Sequence, residues 1–194
     1  MISKLSSKLV ATLINQETID EGDRALYEYG LFILLSYIYF LIITVLAGVI
    51  LHIPLQSLIF FVAFSILRQF AGGYHAKTEG RCLVITSSLA VSSMVITNIF
   101  LFINSNIIVL TAILSSIIIV LCSPLDTAEK PLEPYEKHKY KRATAIIILI
   151  LLAIIIIAFI LKKDVLYFPI SVAILFESGL IVIGKLKNGS ISEI

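Results

Sequence analysis

Three long stretches of this chain contain no Asp, Glu, Lys or Arg: residues 29–67, 83–125 and 143–161. An α-helix rises about 1.5 Å per residue and the hydrocarbon core of a bilayer is about 30 Å thick, so about 20 apolar residues cross it once. The first two stretches, of 39 and 43 residues, are therefore long enough for two crossings each, and the third, of 19, for one. A further apolar segment, residues 165–184, carries a single charge, Glu177. Hydrophobic residues make up 59% of the chain and charged ones 14%, against roughly 45–50% and about 25% in soluble domains. A soluble fold of 194 residues could not hide that much apolar surface, so soluble globular, disordered and coiled-coil readings fail. The chain reads as an all-α, polytopic integral membrane protein with six transmembrane helices.

Punctuation divides the stretches. Gly48, His52 and Pro54 mark a turn inside the first, and Asn104-Ser105-Asn106 a turn inside the second. The predicted spans are residues 30–51, 55–70, 83–103, 107–122, 143–161 and 165–184, the last entered through Pro169. Residues 1–28 form a separate segment in which Leu5, Leu9, Val10, Leu13 and Ile14 share one helical face, the pattern of an amphipathic interfacial helix. Eight charges interrupt this segment, so it does not read as a cleavable signal, and the first span is expected to serve as its own insertion signal. The result is one membrane domain: an interfacial segment (1–28), a six-helix core (30–184) and a tail (185–194).

Of the 15 Lys and Arg residues, all but Lys162 and Lys163 fall on one side of such a bundle if the N terminus is cytoplasmic. Positive charge is retained in the cytoplasm, so both termini and the two long polar connections are expected there. The net charge of +2, with no basic tract interleaved with aromatics, speaks against nucleic acid as a partner.

Chemistry is concentrated in the connection between the second and third spans, residues 68–82. It places His75 and Cys82 seven positions apart at the cytoplasmic mouth, near Lys77 and Arg81, where a structural disulfide is not expected. A thiol with an imidazole in reach can form the thiolate–imidazolium pair of cysteine nucleophilic catalysis. On a straight helix these positions would lie about 10 Å apart along the axis. The chain must bend to bring them together, and Gly72, Gly73 and Gly80 permit it. The same spacing is open to a plainer account, which spacing and position alone favour, with Cys82 a small apolar residue at a helix start and His75 a solvated loop residue. Arg68 and Gln69, just upstream, are candidates to stabilise an oxyanion, and for Arg68 helix capping and snorkelling are the alternative. Asp126 is a candidate to orient His75. Glu177 is costly within a span and needs a partner or an aqueous cavity; a buried structural network is the preferred role. Cys122 is expected to pack. His52, His75 and His138 are dispersed and no HExxH occurs, so no metal site and no cofactor is expected.

The run Arg68-Gln69-Phe70-Ala71-Gly72-Gly73-Tyr74-His75, followed seven residues after His75 by Cys82, resembles the signature of the accessory gene regulator B family of membrane peptidases. The Lys130-Pro131 loop and the basic residues 137–142 are similar to that family's Pro-containing loop, although Asp126, Glu129, Glu133 and Glu136 make it more acidic. The resemblance spans almost the whole chain. It implies a bacterial cell-membrane cysteine endopeptidase that processes the precursor of a cyclic autoinducing peptide in quorum sensing. Cys82 would be the nucleophile and His75 its base, with a thioester on Cys82 resolved by ring closure to a thiolactone or lactone. The implied partners are a propeptide of that type and membrane lipid, with a homodimer as a candidate assembly. The alternative is a small peptide transporter or channel without peptidase chemistry, with Glu177 on the pathway.

The charge asymmetry makes a direct prediction. In a chain lacking Cys82 and Cys122, a cysteine introduced at Lys77 should be shielded from an impermeant maleimide on intact cells, and one at His52 should react. Labelling at position 77 would overturn the orientation.

Overall fold

The computed structural model describes residues 2–73, 78–100, 104–125 and 133–189. Among these residues the chain forms seven α-helices: α1 (Ile2–Asn15), α2 (Arg24–Ile50), α3 (Pro54–Ala71), α4 (Glu79–Phe100), α5 (Ser105–Cys122), α6 (Pro134–Ile160) and α7 (Asp164–Gly189). The six from α2 to α7 are long and apolar enough to cross a membrane.

The helices start where local chemistry allows. Pro54 and Pro134 occupy the first turns of α3 and α6, where a missing N–H costs nothing. The Asn104 side chain caps α5 by accepting from the Asn106 N–H at 3.0 Å, so the expected turn is there. Several helices are longer than the charge-free stretches suggested. Helix α2 begins at Arg24 rather than near residue 30, because Arg24 pairs with Glu21 at 2.6 Å and Glu28 at 3.2 Å. The interfacial segment is correspondingly shorter. Residues 137–142, read as loop, belong to α6; the Glu136 carboxylate accepts from the Glu133 N–H at 3.2 Å, and no breaker follows. Helix α4 begins at Glu79, so Cys82 lies inside its first turn rather than before it. Helix α7 begins at Asp164 and runs through Pro169 rather than starting with it.

Helix α7 is the centre of the bundle. It packs against α3, α4, α5 and α6, while α2 packs against α3 and α4, and α1 against α2. Of the apolar window of α7, 61% is buried, against 22–33% for the other spans. Its Tyr167, Phe168, Val172, Ala173, Ile174 and Ile181 meet Phe60 and Leu67 of α3, Met94 of α4, Ile108 and Ile119 of α5, and Ile155 of α6 in one core. Phe40 of α2, Phe60 and Phe64 of α3 and Phe176 of α7 form a connected aromatic cluster beside it. Helix α1 buries Ile2, Ser6 and Val10 and leaves Leu5 and Leu9 exposed, so its apolar residues point two ways, toward α2 and outward.

Small residues line the seams: Ala63, Ala71, Ala90, Ala112, Ser93 and Ser116 are buried, which lets backbones approach where lipid supplies no hydrophobic drive. The buried hydroxyls of Ser93, Thr97 and Ser116 donate to carbonyls three or four residues back in their own helices, which removes the cost of leaving them unpaired.

Consecutive spans alternate in direction, so two groups of helix ends form. At one end the Tyr167 hydroxyl donates to Asp164 Oδ1 at 2.8 Å and shares a hydrogen bond with Ser105 Oγ at 2.9 Å, in which the serine hydroxyl can donate, tying α7 to the start of α5. Tyr167→Phe should lower unfolding stability in lipid by about 1 kcal/mol, whereas Tyr29→Phe, at an exposed ring, should be neutral. Chemical unfolding of the reconstituted protein measures both.

Candidate functional site

The opposite end of the bundle gathers the last turn of α3, the first turn of α4, the end of α5, the start of α6 and the end of α7. Contacts among these elements are explicit. The Leu125 N–H donates to the Ala71 carbonyl at 3.0 Å, Phe70 and Tyr140 place their rings 6.1 Å apart, and Lys185 Nζ lies 3.8 Å from Cys122 Sγ.

Helix α3 ends because two glycines follow Ala71. Gly72 has φ of 75° and Gly73 of 146°, conformations that side chains on L residues rarely adopt. There is no room for a side chain either. A Cβ on Gly72 would lie 3.0 Å from the Leu125 carbonyl oxygen, and one on Gly73 would overlap the Arg68 guanidinium. Arg68, one turn earlier, donates from Nη1 to the Gly72 carbonyl at 3.0 Å. The same Nη1 stands 3.7 Å from Oε1 of Glu177, whose side chain is fully buried in α7. Tyr37 of α2 lies within electrostatic reach of both charges.

Cys82 is half-buried on α4, its N–H donating to the Thr78 carbonyl at 3.0 Å. The Thr78 hydroxyl accepts from the Arg81 N–H at 3.4 Å, a long capping bond. Because α3 and α4 both pack on α2 and α7, the glycine turn and the first turn of α4 share one end of the bundle.

Of the residues singled out from the sequence, Arg68, Gln69 and Cys82 fall at this end; His75 and Asp126 lie outside the described residues. Arg68 turns toward Gly72 and Glu177, while Gln69 is exposed on a different side of α3. Cys122 is half-buried beside Lys185. Between α5 and α6, Ser123, Pro124, Lys137, His138 and Lys141 line an open groove of about 340 Å³. Among the described residues no three His, Cys, Asp or Glu side chains gather as metal ligands. The partnership of Arg68 with Glu177 was not read from the sequence. The available signal was two opposite charges in or at the end of apolar spans, each needing compensation.

Comparison with known proteins bears on this arrangement. A family model described as Accessory gene regulator B matches residues 5–181. An AgrB-like protein of Clostridium perfringens strain SM101 is 30% identical over 154 residues, which is 76% of this chain and 71% of that protein. A second AgrB-like protein, from C. perfringens strain 13, is 28% identical over 150 residues, 74% of this chain and 70% of the relative. A third, from Lactiplantibacillus plantarum, is 30% identical over 87 residues, covering 45% and 44%. No solved structure matches the chain.

Proposed function

Since the chain belongs to the accessory gene regulator B family, matched over residues 5–181, we propose that it is a cell-membrane cysteine endopeptidase that matures a quorum-sensing propeptide. One observation carries the reading beyond the family match: Cys82 stands in the first turn of α4, at the end of a connection that contains His75 and starts from a turn built on two glycines.

The chemistry follows from those two side chains. His75 accepts the Cys82 thiol proton, and the sulfur attacks the carbonyl carbon of the peptide bond that precedes the propeptide's C-terminal tail. The tetrahedral oxyanion collapses, the C–N bond breaks, and His75 returns the proton to the leaving amine. The remaining peptide is held on Cys82 as a thioester. A Cys or Ser within that peptide then attacks the thioester carbonyl, Cys82 leaves, and a thiolactone or lactone ring closes. No nucleotide is needed, because the thioester conserves the activation of the acyl group. Gln69 is the candidate oxyanion donor and Asp126 the candidate partner for His75; Arg68 is committed elsewhere. The active site lies at the cytoplasmic face in this reading, and Leu5 and Leu9 on α1 offer an apolar surface in the interface where an amphipathic propeptide would arrive.

With a precursor of this type, an amphipathic peptide with an internal Cys or Ser and an acidic tail, Cys82→Ala should abolish cleavage. His75→Ala should slow it by roughly 10²–10⁴-fold. Cys122→Ala should cleave normally, and all three should accumulate in the membrane to similar levels. Normal turnover by the Cys82 variant would remove the nucleophile and with it this mechanism.

Ring closure is a separate outcome. A well-oriented internal nucleophile reaches an effective molarity on the order of 10⁵ M or more, far above water at about 55 M, so it outcompetes hydrolysis once seated. Purified enzyme in lipid, given precursor in ¹⁸O-water, should release a product one water lighter than the linear fragment and free of ¹⁸O. A linear first product carrying ¹⁸O in its new carboxylate would reduce the enzyme to a peptidase.

A further inference from the structure

Glu177 is a buried carboxylate that the proposed chemistry does not use. Its side chain has no exposed surface, and among the described residues neither oxygen accepts a hydrogen bond. Phe176, beside it in sequence, packs edge-on to Phe60 in the core. A charge in such a place is tolerated only against an opposite one, and Arg68 supplies it at 3.7 Å.

The geometry beyond the pair is what gives it a use. The nitrogen that faces Glu177 is the nitrogen that donates to the Gly72 carbonyl. The guanidinium fills the space that a side chain on Gly73 would need. On its other side the turn is held by Leu125, which donates to Ala71 and closes against Gly72. The start of the α3–α4 connection is thus clamped between a buried charge on α7 and the backbone beyond α5. Well-packed apolar residues generally match or exceed the stability of a buried ion pair, so such a pair is weak evidence for stability alone. Here it fixes a single arrangement of a turn that glycine would otherwise leave free to adopt many.

We propose that Glu177 is a positioning residue: through Arg68 it holds the Gly72–Gly73 turn, and so sets the start of the connection that runs to Cys82. The importance of this for catalysis rests on the peptidase reading; the positioning itself does not.

The test uses the full chain in lipid nanodiscs with Cys82→Ser and Cys122→Ser. Spin labels are placed at Thr78→Cys, at the far end of the connection, and at Tyr135→Cys, exposed on α6. Pulsed electron spin resonance should give one narrow distance. Glu177→Gln should abolish it. Gly73→Ala should abolish it as well, without altering α7. Arg68→Leu with Glu177→Leu leaves no buried charge, so it should melt close to the parent and still lack the narrow distance, an outcome that a purely stabilising pair would not produce. In the chain with its native cysteines, Glu177→Gln should lose kcat on the precursor while KM is kept. A narrow distance retained in the double Leu variant or in Gly73→Ala overturns the positioning role, whatever Cys82 does. If the distance is lost as described but Cys82→Ala still cleaves, the peptidase reading fails and the positioning device remains.

Discussion

A carboxylate with no access to water, inside the helix that touches most of the others, sets terms for the whole bundle. In its ionised form Glu177 requires a cation, and a helix end or another polar mouth can deliver one without dragging a second charge through hydrocarbon. Arg68 meets that condition from the last turn of α3, with its side chain about one-fifth exposed. Removing one partner of such a pair typically costs roughly 3–5 kcal/mol. The rotation of α3 against α7 is therefore fixed not only by the Phe60 and Leu67 contacts but by where one guanidinium must point.

The rest of the bundle follows a milder version of the same constraint. A polar group placed in lipid is favoured by a partner inside the protein, although the buried hydroxyls of Thr44 and Ser171 find none among the described residues. The hydroxyls of Ser93, Thr97 and Ser116 are paired within their own helices, which leaves the seams free to pack closely. Longer-range polar contacts occur toward the helix ends, as between Tyr167 and Ser105. Helices bound in this way are held by shape and dispersion along their length, and their register is set by a few polar contacts, most of them near the ends.

Composition and charge-free length made the six spans legible, and Asn104 and Pro54 announced their turns through cap and first-turn chemistry. The same criterion misjudged where helices begin. Arg24 in α2, Glu79 in α4 and Lys137 in α6 are charged yet helical, because a helix end outside the hydrocarbon has no reason to exclude charge. The Arg68–Glu177 pair lies between positions 109 residues apart, and a single sequence gives no distance between them. It did say that Glu177 needs a partner. The Gly72–Gly73 turn was legible as a bend but not as a socket for the Arg68 guanidinium, because that depends on which way α3 is rotated. The roles of His75 and Asp126, which lie outside the described residues, follow from side-chain chemistry and not from geometry.

Two thiols stand at the same end of the bundle, and the backbone treats them differently. Cys82 belongs to the first turn of α4 and Cys122 to the last of α5. At the start of a helix the leading N–H groups lack intrahelical partners and attract negative charge; at its end the unpaired carbonyls repel it. A tetrahedral intermediate carries an oxyanion beside the sulfur, so the positive end of the α4 dipole favours it, whereas the negative end of the α5 dipole does not. Lys185 Nζ lies 3.8 Å from Cys122 Sγ, and a cation near a helix C terminus is ordinarily favourable. The proposed nucleophile and the packing cysteine are thus distinguished by helix polarity alone, before any partner side chain is considered.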